Sequence, residues 1–340
     1  MAPLHTQRGH FVSIHTRSDL FDAFAPTRAR SVRTYASRQS DLTYYPLMPR
    51  AGIVTVVGKP NAGKSTLLNR IVGEKLAIVS EKPQSTRDRV VGIRTTGDVQ
   101  MIVLDTPGLL NPRYELQRAM RGTALRALQD ADVIVYLADA TERVPPSLLE
   151  AAELETPPRA PVWTVLNKSD AIRPVEREEL HGALPEARFV SALTGEGVDA
   201  LLQDLGAVLP ESPFLYPEDE ISTASVRFFV SELVRETALE QLDEEVPYSL
   251  ACEVEEFRET QTPIYIRTVL YVERESQKRI LIGSGGKRIR DIGRAARAKV
   301  EAFVGAAVYL DLWVKVLPNW RKSDSAIRRF GYRLHDDPSA

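Results

Sequence analysis

Residues 53–71 decide the fold: Ile53-Val54-Thr55-Val56-Val57 leads into Gly58-Lys59-Pro60-Asn61-Ala62-Gly63-Lys64-Ser65, and Thr66–Ile71 follows. The first five residues form a β-branched apolar run typical of a buried strand. The next eight fit G-x-x-x-x-G-K-[ST], and the last segment has helical apolar spacing. Glycines let backbone N–H groups wrap round phosphates, and a helix N-terminus adds partial positive charge. The stretch from Gly58 to Thr66 therefore predicts a phosphate-binding loop, in which Lys64 reaches the β- and γ-phosphates and Ser65 offers a hydroxyl to Mg²⁺.

A second strand ends in an acidic motif that fits the same site. Met101–Leu104 is apolar and precedes Asp105-Thr106-Pro107-Gly108. A carboxylate at a strand end can hold Mg²⁺ through a water molecule, and the Gly108 N–H can meet the γ-phosphate. Leu109 stands where a glutamine would orient the attacking water, and leucine cannot hydrogen-bond water. The sequence thus predicts either slow intrinsic hydrolysis or an attacking water that another group holds. A separate prediction is that Asn61 draws a K⁺ ion to the phosphates.

A third strand, Val162–Leu166, leads into a motif that selects the base, Asn167-Lys168-Ser169-Asp170. A carboxylate can accept two hydrogen bonds from guanine N1 and N2, which adenine cannot donate. We expect Asp170 to select guanine, Asn167 to brace the loop and Lys168 to cover the base. The backbone N–H groups of Ser191-Ala192 are candidates for contact with guanine O6. The predicted substrate is therefore GTP, with Mg²⁺ as cofactor.

The polar segment Glu81–Asp88 lies between the phosphate-binding loop and Asp105. A threonine in this position could complete the Mg²⁺ coordination and sense the γ-phosphate, so the segment would be ordered by triphosphate and loosened after hydrolysis. Thr86 is the predicted ligand and Ser85 the alternative. The predicted Mg²⁺ ligands are thus Ser65, Thr86 and Asp105, and the predicted catalytic residues are Lys64, Thr86, Asp105 and Gly108.

Composition excludes a wholly disordered chain, a fibrous chain and a chain with a membrane-spanning helix. The 340 residues carry 44 Lys+Arg and 46 Asp+Glu, 43% are hydrophobic, and there is one cysteine. This balance is that of a globular chain. No run approaches the ~20 apolar residues needed to span a bilayer. A single Cys252 excludes an internal disulfide and a cysteine-based zinc site.

The first 47 residues are set apart by charge. They hold six arginines, no lysine and three aspartates, and Met48-Pro49-Arg50 directly precedes the first strand. Two interpretations remain open: a disordered extension upstream of a later start, or an organelle transit peptide. In either case residues 1–47 are excluded from the fold, and we expect one domain over residues 48–209.

The second half begins after a proline-rich junction and reverses its charge along the chain. Residues 210–222 include Pro210, Pro213 and Pro217, which predicts a stiff linker. Residues 211–260 hold 14 acidic and three basic residues, interpreted as a solvated face. Residues 277–300 hold eight basic residues and one acidic residue. The predicted second domain covers residues 223–340, and its tail from Asn319 to Arg333 is expected to pack on the domain with some contact to RNA.

At the centre of the basic stretch lies Gly283-Ser284-Gly285-Gly286. A G-x-x-G loop between helices lets a nucleic-acid backbone approach closely, and flanking cations neutralise phosphate. Ile280 and Ile282 would form the floor of a groove for unstacked bases. The predicted RNA-binding residues are Lys278, Arg279, Gly283, Ser284, Gly285, Gly286, Lys287, Arg288 and Arg290.

Together these motifs resemble the Era family of GTPases over residues 48–335. The matching strings are Gly58–Thr66, Lys82–Gln84 with Thr86-Arg87, Asp105–Gly108, Asn167–Asp170, Leu215–Asp219, Glu245–Tyr248, Gln277-Lys278, Gly283–Gly286 and Leu312–Val316. Ser85 and Ser284 depart from the family, which often has Thr and Lys at these positions. The resemblance implies an α/β P-loop GTPase domain with a mostly parallel, doubly wound sheet, followed by an α+β type II KH domain.

The resemblance also implies a function and partners. A member of this family binds small-subunit ribosomal RNA near its 3′ end, hydrolyses GTP and assists assembly of the small ribosomal subunit. We expect a cytoplasmic monomer with peripheral association to the inner face of the cell membrane, or a mitochondrial-matrix protein if residues 1–47 are a transit peptide. The alternative function is an RNA-binding assembly factor whose G domain docks without significant turnover.

Overall fold

The structure is a computed structural model that describes residues 48–80, 82–142, 144–243 and 246–334. The segment 1–47, with its two alternative interpretations, lies outside the described residues. Among the described residues, none of the helices combines the length and apolar character that crossing a bilayer requires.

The first half alternates strands and helices around one sheet. Its elements are β1 Arg50–Val57, α1 Lys64–Val72, β2 Val90–Thr96, β3 Val99–Asp105, α2 Glu115–Asp130, β4 Val133–Asp139, α3 Leu148–Ala151, β5 Val162–Asn167, α4 Pro174–Ala183, β6 Arg188–Phe189 and α5 Val198–Val208. The sheet has the strand order β2-β3-β1-β4-β5-β6, and only the β2–β3 pair is antiparallel. The prediction of a mostly parallel sheet is confirmed, and the carboxyl ends of β1, β3 and β5 lie along one edge.

Both faces of this sheet are covered, which explains why β1 is apolar at nearly every position. Val54 and Val56 point to the face covered by α1 and α5, where Leu67 and Leu205 join the same core. Val57 points to the other face, in the core formed with α2. A strand buried on both faces lacks the alternation of a half-exposed strand. The sheet is therefore doubly wound, as predicted.

The second half packs helices on a three-stranded sheet. Its elements are α6 Val226–Gln241, α7 Val246–Ser249, β7 Ala251–Arg258, β8 Ile264–Val272, α8 Glu275–Ile282, α9 Lys287–Val304, β9 Val308–Val316 and α10 Asp324–Arg329. The strand order is β7-β8-β9, with the first pair antiparallel and the second parallel. Val234 of α6, Leu281 of α8 and Ile292 of α9 pack on Leu270 of β8. The predicted α+β arrangement is confirmed.

The segment predicted as a linker lies along the first sheet. The Ala51 N–H donates to Pro210 O at 3.2 Å, the Leu215 N–H to Gln100 Oε1 at 2.8 Å, and the Ile93 N–H to Ile221 O at 2.9 Å. Backbone and side-chain groups of β1, β2 and β3 therefore hold this segment along its length.

The aromatic residues of the tail are largely buried between the two halves. Trp320 is fully buried, and its indole N–H donates to Ser249 O at 2.7 Å. Ile327 of α10 lies in one core with Met120 of α2 and Tyr271 of β8. The expectation that the tail packs is confirmed, and it packs on the first half as well as on the second.

Candidate functional site

The phosphate-binding loop joins β1 to α1 and holds its lysine inside. Gly63 has a φ of 95°, and a Cβ there would lie 2.1 Å from Asn167 Nδ2, so both backbone and space require glycine. Lys64 is buried, and its ammonium donates to Lys59 O at 2.8 Å and Gly58 O at 3.2 Å. Burial lowers the pKa of Lys64 to about 8, and the nearby charge of Asp105 opposes that shift.

The three predicted Mg²⁺ ligands lie together beside Lys64. The Ser65 hydroxyl donates to Asp105 Oδ2 at 2.6 Å and lies 2.8 Å from the Thr86 hydroxyl, which is 3.3 Å from the same carboxylate oxygen. The other oxygen, Asp105 Oδ1, is buried and accepts no hydrogen bond from the described residues. Burial raises the pKa of Asp105, and the charge of Lys64 opposes this. Three oxygen groups and an unpartnered carboxylate oxygen fit a hard divalent cation such as Mg²⁺.

Thr86 and its alternative Ser85 lie in different surroundings. Thr86 is buried and faces Ser65 and Asp105, whereas the carbonyl of Ser85 accepts a hydrogen bond from Arg235 in the second half at 2.6 Å. This geometry favours Thr86 over Ser85 as the third ligand.

The base-selecting motif follows β5 and is braced as expected. Asn167 Nδ2 donates to Ala62 O at 2.8 Å, and Asn167 Oδ1 accepts from the Ala192 N–H at 2.9 Å. Ser169 is buried, whereas Asp170, in the short turn Ser169–Ala171, is exposed. Lys168 has a φ of 65°, and its ammonium pairs with Asp139. The Asp170 carboxylate is therefore accessible to a ligand, while Asn167 ties the motif to the phosphate-binding loop.

Ser191 and Ala192 lie next to this motif, and both are buried. The Ser191 N–H donates to Glu196 O at 2.9 Å, and the Ala192 N–H is taken by Asn167. Both amides thus have acceptors inside the protein. Their contact with guanine O6 stays a prediction.

The motif after β3 packs closely on the phosphate-binding loop. The Thr106 hydroxyl donates to Val56 O at 2.8 Å, and the Leu109 N–H donates to Gly58 O at 2.9 Å. A Cβ on Gly108 would lie 2.6 Å from the Pro60 nitrogen. The Leu109 side chain is buried in the core formed with α2.

The remaining loop residues occupy its rim. Lys59 is exposed and pairs with Glu142 at 3.2 Å. Asn61 has a φ of 63° and is exposed, while Pro107 is buried and Thr66 lies in the first turn of α1. The structure thus gathers the loop, Asp105–Leu109, Asn167–Asp170 and Thr86 at one edge of the sheet. Their individual roles stay predictions.

The G-x-x-G loop of the second half joins α8 to α9. It is more exposed than the phosphate-binding loop of the first half. Gly283 has a φ of 73°, and Ser284 and Gly285 are exposed. Ile280 is 40% exposed and Ile282 is half-buried, which leaves an apolar surface beside the loop. A groove for unstacked bases at this surface stays a prediction.

The cations of α8 and α9 fall into two groups. Those near the loop form no ion pair with a carboxylate within the described part of the chain; they are Lys278, Arg279, Lys287, Arg288 and Arg290. Further along α9, Arg294 pairs with Asp291, Arg297 with Glu301, and Lys299 with Glu236 and Glu240. The unpaired charge is therefore concentrated at the loop.

Sequence reasoning quoted Arg87 only among the strings of the resemblance and missed its role, which is to link the two halves. Its guanidinium donates to Leu250 O, Pro247 O and Tyr248 O, at 2.5, 3.3 and 3.2 Å, and lies over the Trp320 ring. Only 5% of the residue is exposed. The spacing of residues along the chain could not indicate this role, because the groups that accept hydrogen bonds from Arg87 lie some 160 residues further on and are backbone carbonyls.

The expectation of a solvated acidic face is wrong for Glu236. This α6 residue is buried, and its carboxylate accepts from Lys75 at 2.7 Å, Lys299 at 3.0 Å and the Val79 N–H at 3.2 Å. Since Lys75 and Val79 belong to the first half, part of the acidic stretch serves as a contact between the halves.

Comparison with known proteins gives matches to both halves. Residues 53–168 match the family described as "50S ribosome-binding GTPase", and residues 245–321 match the KH domain family. Over 295 residues the chain is 41% identical to "GTPase Era" of Carboxydothermus hydrogenoformans, covering 83% of this chain and 98% of that protein.

Two solved structures share the whole architecture. One is a variant of Aquifex aeolicus Era bound to GDP·AlF4⁻, and the other is Era in complex with MgGDPNP and nucleotides 1506–1542 of 16S ribosomal RNA. Each is 39% identical with a TM-score of 0.79, and each match covers 84% of this chain and 100% of the solved chain.

The sheet, the loop Gly58–Ser65 and the motif Asn167–Asp170 define a P-loop GTPase, and the second half is a KH domain. The two occur here in the order and with the architecture of the solved Era structures. The chain belongs to the Era family of GTPases.

Proposed function

We propose that this chain is a GTP-hydrolysing switch that binds small-subunit ribosomal RNA near its 3′ end and assists assembly of the small subunit. One observation carries the proposal: Thr86 faces Ser65 and Asp105, the other two proposed Mg²⁺ ligands, while the buried guanidinium of its neighbour Arg87 donates to the KH-domain backbone. The Era complex with a 16S ribosomal RNA fragment supports the choice of RNA. The 50S description belongs to a family matched over residues 53–168 alone, so the complex with both domains carries more weight.

The nucleotide chemistry follows from the residues of the site. Ser65, Thr86 and Asp105 would hold Mg²⁺, which when bound neutralises charge on the β- and γ-phosphate oxygens. Lys64 would exchange its two neutral carbonyl acceptors for charged phosphate oxygens, which form stronger hydrogen bonds. Asp170 would select guanine, with Asn167 holding the motif in place.

The coupling between nucleotide and RNA follows from the contacts around Thr86. Ser85 O is held by Arg235 of α6, and Arg87 by the α7–β7 backbone. Lys82 donates to Leu239 O and Leu242 O at the end of α6. A segment fixed on both sides to the KH domain cannot follow the nucleotide without moving that domain or breaking these contacts. We therefore expect loss of the γ-phosphate either to move the KH domain or to break these contacts, and either change would alter the affinity for RNA.

The test is phosphate release from GTP with and without a short 3′-terminal small-subunit RNA fragment. We expect RNA to raise turnover in the wild type, Lys64→Ala to lower turnover about 100-fold or more, and Gly285→Asp to abolish only the increase with RNA. Gly285→Asp places a negative charge on the loop that approaches phosphate. RNA that binds while turnover stays flat in the wild type would contradict a coupled switch.

Flat turnover would favour the second candidate, an assembly factor whose G domain docks without significant hydrolysis. The buried Leu109 side chain is the observation behind it, since it cannot hold the attacking water. Intact Lys64, Ser65, Thr86 and Asp105 favour hydrolysis. Multiple-turnover measurements with ribosomal RNA distinguish the two.

Four further properties stay predictions. Asn61 as a K⁺ ligand is tested by a K⁺ series in the turnover assay, where no effect would remove the idea. The monomeric state is tested by sedimentation. Cytoplasmic location with peripheral membrane association, or a mitochondrial location if residues 1–47 are a transit peptide, is tested by cell fractionation.

A further inference from the structure

One part of the KH sheet carries large aromatic side chains on its outer face. The helices α6, α8 and α9 cover the inner face, and the outer face near Val269 and Tyr271 is covered by the tail and α2. At the other end of the outer face, Tyr309 is 59% and Trp313 51% exposed. We call Tyr265, Arg267, Tyr309, Asp311 and Trp313 the aromatic face.

One carboxylate holds three side chains of the aromatic face in place. Asp311 Oδ2 accepts from Tyr265 OH at 2.8 Å, Arg267 Nε at 3.1 Å and Trp313 Nε1 at 3.0 Å. The rings of Tyr265 and Tyr309 stack at 5.8 Å with an interplanar angle of 13°. Rings fixed in this way lose little conformational freedom when they bind a ligand.

Charge on this face is balanced. Arg267 pairs with Asp311 and Glu256, and Arg258 pairs with Glu256. The face therefore neither attracts nor repels phosphate strongly. A ligand would gain affinity here by stacking, which every nucleobase can do.

The aromatic face lies on the opposite side of β9 from α9, the helix that follows the G-x-x-G loop. Leu310 and Leu312 of β9 point to the helices, and Leu312 Cδ1 lies 3.4 Å from the position of a Cβ on Gly293 of α9. β9 is an edge strand, with the glutamate-rich β7 at the opposite edge. A strand of RNA that leaves the G-x-x-G groove over the free edge of β9 meets Tyr309 and Trp313 without crossing β7.

We propose that the aromatic face is a second contact for the bound RNA, on which unpaired nucleobases stack beyond the G-x-x-G groove. This rests on the proposed RNA binding by the KH domain. A protein partner is less favoured, because the cores of protein interfaces are depleted in charged residues. Here ion pairs border the exposed rings.

The experiment measures the binding of two unpaired RNAs from the 3′-terminal sequence. One has four nucleotides, which is the length that a KH groove holds, and the other is about three times longer. We expect Trp313→Ala and Tyr309→Ala each to weaken binding of the longer RNA about tenfold, with the four-nucleotide RNA unaffected. Trp313→Phe should retain most of the affinity. The slope of log affinity against log salt should stay unchanged, because no phosphate contact is lost.

Several results would overturn the proposal. These are unchanged binding of the longer RNA, equal losses for both RNAs, or a loss seen only with intact small subunits, which would assign the face to a protein. A wild type that binds neither RNA would instead show that the proposed RNA binding itself fails.

Fluorescence gives an independent measurement on the folded protein. The chain has three tryptophans, and Trp320 is buried. The longer RNA should quench tryptophan emission in the wild type and not in Trp313→Phe, whereas equal quenching in both would contradict stacking on Trp313.

Discussion

The phosphate-binding loop Gly58–Ser65 and the KH loop Gly283–Gly286 both place glycines before a helix, but they treat their cations in opposite ways. Lys64 is buried and bonded to carbonyls of its own loop, whereas Lys287 and Arg288, which directly follow the KH loop, are exposed. A Cβ on Gly63 would strike Asn167, whereas one on Gly285 has nothing within 4 Å. The first loop is thus a preformed site for one small ligand, and the second is an open surface that suits a polymer backbone.

The largest expected effect separates the two loops by function. Lys64→Ala removes the buried cation, so we expect GTP turnover to fall about 100-fold or more, as for loss of one preorganised transition-state donor. The RNA affinity of the nucleotide-free protein should be unchanged, and it is the control. Turnover within a few-fold of the wild type would show that Lys64 has no transition-state role.

The paired substitutions Gly63→Ala and Gly285→Ala compare the loops in stability. Both glycines have positive φ, so each alanine adds backbone strain of about 1–2 kcal/mol. Gly63→Ala also clashes with Asn167, and it should cost more unfolding free energy and weaken GTP binding. Urea denaturation measures the free energy of unfolding, and nucleotide titration measures the affinity for GTP. Equal losses of unfolding free energy in the two variants would show that the two loops are equally open.

Salt dependence sharpens the contrast within α9. Arg290 has no carboxylate partner among the described residues, whereas Arg294 pairs with Asp291. We expect Arg290→Ala to reduce the salt slope of RNA binding by about 0.7, the value for one phosphate contact on a single strand. Arg294→Ala, the matched control, should change it less. An equal change for both would mean that ion pairing inside the helix does not decide which cations contact RNA.

The smallest expected effect concerns the contact between the halves. Burial alone would raise the pKa of Glu236, but hydrogen bonds from Lys75 and Lys299 hold that pKa below its ordinary value. A carboxyl group whose pKa is lowered by folding stabilises the folded state at pH values above its unfolded-state pKa of about 4.3. This stabilisation is lost as the pH falls through the pKa of the folded state. Glu236→Gln should therefore lower the free energy of unfolding by about 1 kcal/mol at pH 7, and by less at pH 4. Urea denaturation at both pH values measures this, and a pH-independent cost would contradict it.

The sequence predicted the elements that carry chemistry better than the contacts that join them. The loop, Asp105 and Asn167 follow strands in order, and because parallel strands end at one edge, their proximity could be predicted. Arg87 and Glu236 could not be found in this way, since their partners lie far along the chain and are partly backbone groups. The tail aromatics were expected to pack, but their contact with α2 required the three-dimensional arrangement.

The most direct test of the central claim, that Arg87 transmits the nucleotide state to the KH domain, is RNA affinity with GDPNP and with GDP. Wild type should bind RNA about fivefold or more tightly with GDPNP, within the usual range of allosteric coupling. Arg87→Gln, which cannot reach three carbonyls, should bring the two affinities together. Arg89→Gln, an exposed arginine of the same segment paired with Asp130, should keep them apart. Full nucleotide dependence retained in Arg87→Gln would contradict the account.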